Sequence, residues 1–230
     1  MNVDLRTGYE GIAGRYELVN HLVTLGLDAR WRDRAARLAA RGGGERWLDV
    51  CAGTGEMSVR LARLAPGACR VIAADFCREM LARVAARPEA PLIDPVLCQA
   101  GRLPFADGSF DLVTLAFAAR NLRADELTLL GHFAEFRRVL RPGGRFVNVE
   151  TSQPKNPWVR ALFRLWVAAA VRPVAVLTGP RGRCYHYLAE SIPRFHSAPE
   201  LSALLRRAGF ARVRFERMLW GAAAVHVAVK

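Results

Sequence analysis

The sequence predicts an α/β domain with a mostly parallel seven-stranded sheet, helices on both faces and an antiparallel strand at the C-terminal edge. Three observations carry that expectation. The apolar run Trp47-Leu48-Asp49-Val50 breaks at Gly53-x-Gly55 and passes straight into a helical pattern. Short apolar runs then alternate with amphipathic stretches as far as residue 150. Finally, the second of those runs ends in an acid, Asp75, 20 residues after Gly55.

Residues 8–25 read as an amphipathic helix, with Ile12, Tyr16, Val19 and Leu22 at helical spacing. A second helix over 29–40 uses Trp31, Ala35 and Leu38, and the glycines at 42–44 end it. Both precede the first strand, so they pack on or over the core as an N-terminal cap spanning 1–44. The segment 45–150 holds five strands. The first enters the helix at 56–65 through the glycine turn, and Arg70–Asp75 is the second. A helix over 77–87 and a proline-rich break lead to the third, near 95–98, and Phe110–Phe117 is the fourth. The helix at 125–140 carries Leu129, Phe133, Phe136 and Leu140 on one stripe. Arg141-Pro142-Gly143-Gly144 is read as its terminating turn, before a fifth strand at 145–150.

Residues 151–195 break the alternation. Trp158, Leu162, Phe163 and Trp166 mark a helix that also holds Arg160 and Arg164, and Pro173, Gly179-Pro180 and Gly182 are read as interrupting it. Such an insert suits a cap over an apolar substrate, a surface that dips into a bilayer interface, or a helix that completes the core. Within 196–230, a helix at 199–207 is capped by Gly209, and strands follow at 211–217 and 223–229. Their short connection requires an antiparallel pair. The whole is read as one domain over 1–230.

Composition narrows the class. A hydrophobic content of 52% excludes a disordered chain, and no uncharged apolar run approaches the ~18 residues of a spanning helix. The first residues, with Asp4, Arg6 and Glu10, lack the apolar core of a secretion signal, so a cytoplasmic protein is expected. Five scattered cysteines form no C-x-x-C pair, which argues against a disulfide framework and a zinc site. The net charge of +13 is almost all arginine, since Lys155 and Lys230 are the only lysines, and it is spread along the chain. It tilts mildly towards an anionic surface.

Gly53 and Gly55 can adopt positive φ and let a ligand lie against the backbone, beside free N–H groups of the following helix. Gly53-x-Gly55-x-x-Ser58 resembles a dinucleotide fingerprint with serine for its third glycine. Asp49-x-Cys51-x-Gly53-x-Gly55 is more similar to the S-adenosyl-L-methionine (SAM) loop of class I methyltransferases, with Cys51 for the usual first glycine. Asp75 stands where a nucleoside-binding sheet places the acid that takes ribose hydroxyls, and it also suits a helix N-cap.

Over nearly its whole length the chain resembles the UbiE/MenG family, the SAM-dependent C-methyltransferases of ubiquinone and menaquinone biosynthesis. The resemblance includes Gly11-Ile12-Ala13, Arg15-Tyr16, Asn20, Leu25-Gly26 and Trp31-Arg32, then Leu103-Pro104-Phe105 and Asp107–Asp111. It continues with Arg120-Asn121, Val139–Gly144, Tyr185, Tyr187-Leu188, Ser191-Ile192, Phe195, Ala224 and His226. This likeness implies the class I, Rossmann-like methyltransferase fold. It implies that Thr54 and the backbone of the turn at Gly53 and Gly55 hold the methionine part of SAM, that Asp75 binds the ribose, that Gln99 with Ala100 flanks the adenine, and that Asp49, Phe76 and Ala116 also lie by the cofactor. Gln99 replaces the usual Asp or Asn, Ala116 a serine of some relatives, Ala118-Ala119 the usual Gly-Leu, and Thr151 the usual phenylalanine.

Methyl transfer from a sulfonium needs alignment more than an enzyme nucleophile. A quinol ring carbon becomes nucleophilic when a neighbouring hydroxyl ionises, which a nearby cation favours. Arg120, just past the fourth strand, is expected to supply that cation or orient a water, with Asn121 fixing the geometry. The alternative is a solvated loop arginine. Tyr16, Tyr185 and Tyr187 are candidates for the quinol pocket or for core packing. His132, His186 and His196 are read as structural, and His226 is left without a role.

A prenylated quinol, most of all demethylmenaquinol, is the expected substrate. Competing readings are a small-molecule O- or N-methyltransferase, a nucleic-acid methyltransferase and a non-catalytic SAM-fold subunit. Strand four ends in Leu115-Ala116-Phe117-Ala118-Ala119, without the Asn/Asp-Pro-Pro-aromatic motif of base methylation, so no nucleic-acid partner is expected. A homodimer and a peripheral membrane contact both remain compatible with the sequence.

Overall fold

The computed structural model describes residues 16–177 and 189–230. Helices α1 (Tyr16–Thr24) and α2 (Leu27–Ala40) precede strand β1 (Arg46–Val50). Then come α3 (Glu56–Leu64), β2 (Arg70–Asp75), α4 (Arg78–Ala85), β3 (Ile93–Leu97), β4 (Phe110–Ala116) and α5 (Glu126–Val139). Strand β5 (Leu140–Thr151), helices α6 (Pro157–Leu177) and α7 (Ala198–Arg207), and strands β6 (Arg212–Met218) and β7 (Ala223–Val229) complete the order.

The seven strands run β3-β2-β1-β4-β5-β7-β6. The first five pair in parallel, and β7 is antiparallel to both β5 and β6. The reversed strand therefore lies inside the sheet, and β6 is the edge. Crossovers leave β1 in opposite directions, so a crevice opens beyond the carboxyl ends of β1 and β4.

Alternation along each strand feeds two cores. Trp47, Leu112 and Val147 face α2 and α3, while Leu48, Val113 and Phe146 face α5 and α7. Trp31, Ala35 and Leu38 of α2 are buried on the first face, as their spacing predicted, so α2 belongs to the core layer.

Two local expectations are corrected. Arg141–Gly144 does not separate helix from strand. Leu140 already pairs with Phe110, and the ladder resumes at Leu112 with Arg145, so these residues are extruded as an irregularity within β5. Nor does Pro173 end its helix, because α6 runs on to Leu177. A proline removes one backbone donor, and neighbouring turns can carry the helix past it. The predicted segment 8–15, the breaks at Gly179-Pro180 and Gly182, His186, Tyr185 and Tyr187 lie outside the described residues. Tyr16 opens α1.

Candidate active site

Three backbone positions with positive φ shape the turn after β1: Cys51 (54°), Gly53 (55°) and Gly55 (84°). Cysteine thus occupies a left-handed conformation that favours glycine. A Cβ at Gly53 would meet no atom within 4 Å, whereas one at Gly55 would lie 3.0 Å from Val84 Cγ2. Gly53 keeps the cleft floor open, and Gly55 lets α3 approach α4.

Two buried carboxylates anchor this turn. Asp49 is 1% exposed, and it accepts from Ser58 Oγ at 2.6 Å and Thr114 Oγ1 at 2.8 Å. Burial pushes its carboxyl up to about 6, against the pull of those two hydroxyls. Asp75 accepts from the Gly53 N–H at 2.8 Å and the Cys77 N–H at 2.9 Å. Burial raises its carboxyl too, and these amides restrain the rise. Asp75 therefore ties the end of β2 to the glycine turn.

The cleft between these groups has a volume of about 160 Å³ and is lined by Asp49, Gly53, Thr54, Asp75, Phe76 and Ala116, with Cys51, Phe117 and Asn121 at its sides. Gln99 and Ala100 line an adjoining hollow that shares Cys51, Phe76 and Leu122 with the cleft. Gly55 lies behind the lining. This donor and acceptor set fits SAM: an open glycine floor, an acid for hydroxyls at Asp75, apolar Phe76 and Leu122 for a base, and a carboxylate at Asp49 for an ammonium.

Arg120 is 4% exposed, which overturns the solvated-loop reading. Its Nη1 donates to Glu150 Oε1 at 3.0 Å and Thr151 Oγ1 at 3.2 Å, and its backbone N–H to Glu150 Oε2 at 3.3 Å. Parallel pairing of β4 with β5 puts Glu150 within reach of the chain that leaves β4. Arg120 and Asn121 serve two different spaces. Asn121 faces the cofactor cleft, while Arg120 lines a smaller cavity of about 70 Å³ with Thr24, Asp28, Arg32, Phe117 and Thr151. Arg32 and Phe117 line both. The Arg32 guanidinium lies 4.7 Å over the Phe117 ring, which is 6.2 Å from the Trp31 ring.

A third cavity, of about 410 Å³, continues from the second through Val23, Thr24, Trp31 and Thr151. Its wall is almost wholly apolar, with Leu162, Phe163, Trp166 and Trp220 among the lining residues. Cofactor cleft, small cavity and apolar cavity thus adjoin through shared walls along one path, which ends at a face where Trp158, Leu162, Leu165 and Trp220 are exposed.

Sequence reasoning gave no role to the polar network over this path. Arg32 Nη1 lies 2.6 Å from Asp28 Oδ2 and 3.4 Å from Glu56 Oε2, and His21 Nδ1 is 3.0 Å from Asp28 Oδ2. Asp28 and Arg32 at i and i+4 on a helix were the available signal. The oxygens of Asp28 and Glu56 and a His21 nitrogen come within 4.8 Å of one another, a spacing a metal could use, but the Arg32 guanidinium already supplies the positive charge. His132 bonds Thr128 O at 2.7 Å and His226 bonds Ala198 O at 2.9 Å, both away from the path. Burial, with Arg123 nearby, lowers His196 below its ordinary value.

The model of the ubiE/COQ5 methyltransferase family matches residues 4–230. A demethylmenaquinone methyltransferase of Thermus thermophilus is 39% identical over 221 residues, covering 95% of this chain and 98% of that protein. The ubiquinone/menaquinone biosynthesis C-methyltransferase UbiE of Desulfotalea psychrophila is 38% identical over 226 residues, covering 96% and 88%. Among solved structures, a SAM-dependent methyltransferase of Thermotoga maritima gives a TM-score of 0.65 at 17% identity, covering 97% of this chain and 98% of that one. That likeness shows the fold.

Proposed function

The chain belongs to the ubiE/COQ5 methyltransferase family, and from that premise we propose that it methylates a ring carbon of demethylmenaquinol. SAM is the methyl donor and supplies an electrophilic methyl group on a sulfonium. The reading is carried by one observation, the succession of three adjoining cavities that share their walls. The cofactor cleft adjoins a space lined by Arg120, and that space adjoins an apolar cavity open to the surface. A quinol ring fits the middle position, with its prenyl tail in the apolar cavity.

In this placement Arg120 stabilises the phenolate that makes the ring carbon nucleophilic, and Glu150 and Thr151 hold the guanidinium in place. Asn121 faces the donor side, Asp49 receives the ammonium of the donor, and Asp75 its ribose. Thr151, small where relatives carry phenylalanine, leaves room between ring and tail.

The tail also argues for a peripheral membrane contact. Trp158, Ala161, Leu162, Leu165 and Ala169 form an exposed apolar stripe on α6, whose charged residues are all arginines. Among the described residues no helix is long and apolar enough to cross a membrane. Complementing a host that lacks quinone methylation should restore lipid-extracted menaquinone, heavier by one CH2 with the methyl on ring carbon. Methylation on oxygen, or none, would refute the reading. Anionic vesicles should sediment the protein, and Trp158→Ala with Leu162→Ser should release it without lowering its melting temperature.

A further inference from the structure

We infer that Thr24, Asp28 and His21 form a proton relay that carries the quinol hydroxyl proton from the ring cavity to solvent. The inference rests on the quinol reading above. Leu25 and Gly26 both take positive φ, and the Gly26 N–H bonds His21 O at 2.7 Å, so α1 ends there and α2 folds back against it. That turn sets Asp28 against Thr24 and His21.

Asp28 is the single carboxylate among the described residues that line the ring cavity, and it is 2% exposed. Thr24, which lines the same cavity, has its Oγ1 2.8 Å from Asp28 Oδ1 and 2.8 Å from the Asn20 carbonyl oxygen, so its one proton can be given to either acceptor. Asp28 Oδ2 lies 3.0 Å from His21 Nδ1, close enough for an ion pair but not aligned as a hydrogen bond, so a small rotation of the imidazole completes the link. The His21 side chain, 41% exposed, reaches solvent. One end of the chain of groups is therefore in the cavity and the other in water.

The surrounding charges suit this task. Arg32 Nη1, 2.6 Å from Asp28 Oδ2, fixes the carboxylate in place and leaves Oδ1 to Thr24. Glu56 lies 3.4 Å from Arg32 and 3.9 Å from His21 Nε2, beside the solvent end of the chain of groups. Arg120 lines the same cavity and faces the oxygen that loses the proton.

In the step itself the quinol O–H bond breaks, and its electron pair stays on the oxygen. The proton passes by way of Thr24 Oγ1 to Asp28, then to His21 and water. The ring carbon bonds the methyl group while sulfur keeps the pair of the broken S–CH3 bond. The ring C–H bond then breaks, its electron pair restores the aromatic ring, and its proton passes through water to the oxygen, so the proton that left along the relay is the one released per methyl transferred.

The test uses the full chain with a short-chain demethylnaphthoquinol held reduced by dithionite. Turnover is measured against pH for wild type, Asp28→Asn, His21→Gln and Thr24→Val, with SAM affinity by calorimetry and folding by circular dichroism. Asp28→Asn should lower kcat by about 100-fold, with SAM affinity close to wild type. His21→Gln should lower kcat by about 10-fold, alter the acid limb of the profile, and recover with added imidazole. A merely structural role would give neither the altered limb nor the rescue. Asp28→Asn with kcat within about threefold of wild type overturns the relay, as does an unchanged acid limb in His21→Gln without imidazole rescue. If Asp28→Asn does not fold, His21→Gln and Thr24→Val carry the decision. Wild type inactive on the quinol overturns the functional reading and the relay with it, whereas an active wild type with equally fast variants overturns the relay alone.

Discussion

Asp49→Asn is expected to stabilise the fold at neutral pH while weakening SAM binding. Burial holds the Asp49 carboxyl at about 6, against an ordinary value of 3.8. At pH 7 the ionised carboxylate therefore costs the fold about 3 kcal/mol. Asparagine removes the charge and keeps one oxygen for Ser58 or Thr114. The other hydroxyl must turn to meet an amide N–H, at a cost of about 1 kcal/mol. A net gain of about 2 kcal/mol follows, or about 4–8 °C in melting temperature for a domain of this size. The sign depends on pH. The folded value lies above the unfolded one, so the penalty is absent below about pH 4, grows towards pH 6 and is complete above it. Urea denaturation of both proteins at three pH values across that range, with calorimetric SAM titration at pH 7, measures both effects. A stability difference that stays constant with pH, or a variant less stable than wild type at pH 7, would refute the reasoning.

Other outcomes follow from the same geometry. Arg120→Ala leaves Glu150 buried without its cation and should cost about 3–5 kcal/mol in thermal denaturation. Adding Glu150→Gln should restore most of that stability and none of the turnover, which separates folding from catalysis. His226 is buried and held down to about 4, below its unfolded value of 6.5. Its contribution is present above about pH 6.5 and lost as pH falls towards 4, so the stability deficit of His226→Gln should shrink over that range. Gly55→Ala, with φ at 84° and a Cβ 3.0 Å from Val84, should lose about 1–2 kcal/mol in denaturant titrations. In Gly53→Ala the added Cβ meets no protein atom, so the loss is the positive-φ strain of about 1 kcal/mol alone, and calorimetry should register weaker SAM binding beyond it.

Features set by short-range pattern were legible in the sequence. The glycine turn, the alternation of strands and helices, and the buried stripe of α5 depend on neighbours a few residues away. The cleft residues Asp49, Gly53, Thr54, Asp75, Phe76 and Ala116 came with them, because all sit at strand ends or the turn itself. What escaped depends on packing between distant segments. Arg120 stands out in the sequence, but its partner Glu150 comes beside it only through the parallel pairing of β4 and β5. Asp28 reads as an acid on a helix surface until α1 folds over it and Thr24 and His21 close in. Gln99 and Ala100 fall in a hollow beside the cleft because β3 stands two strands away from β1. Arg141–Gly144 has the composition of a turn, and only the register of β4 against β5 shows it as an extrusion.

The place of β7 has a consequence for synthesis. Strands β1 to β4 can pair as they emerge, so the cofactor cleft needs nothing from the last third of the chain. Strand β5, by contrast, keeps one bare edge until α6, α7 and β6 have all been made. Strand β6 emerges with no strand to join, since its single neighbour is β7. During that interval the nascent chain carries an open sheet edge beside the apolar α6, a template for pairing with another chain. The hairpin of β6 and β7 is thus the closing piece, made after the other five strands of the sheet.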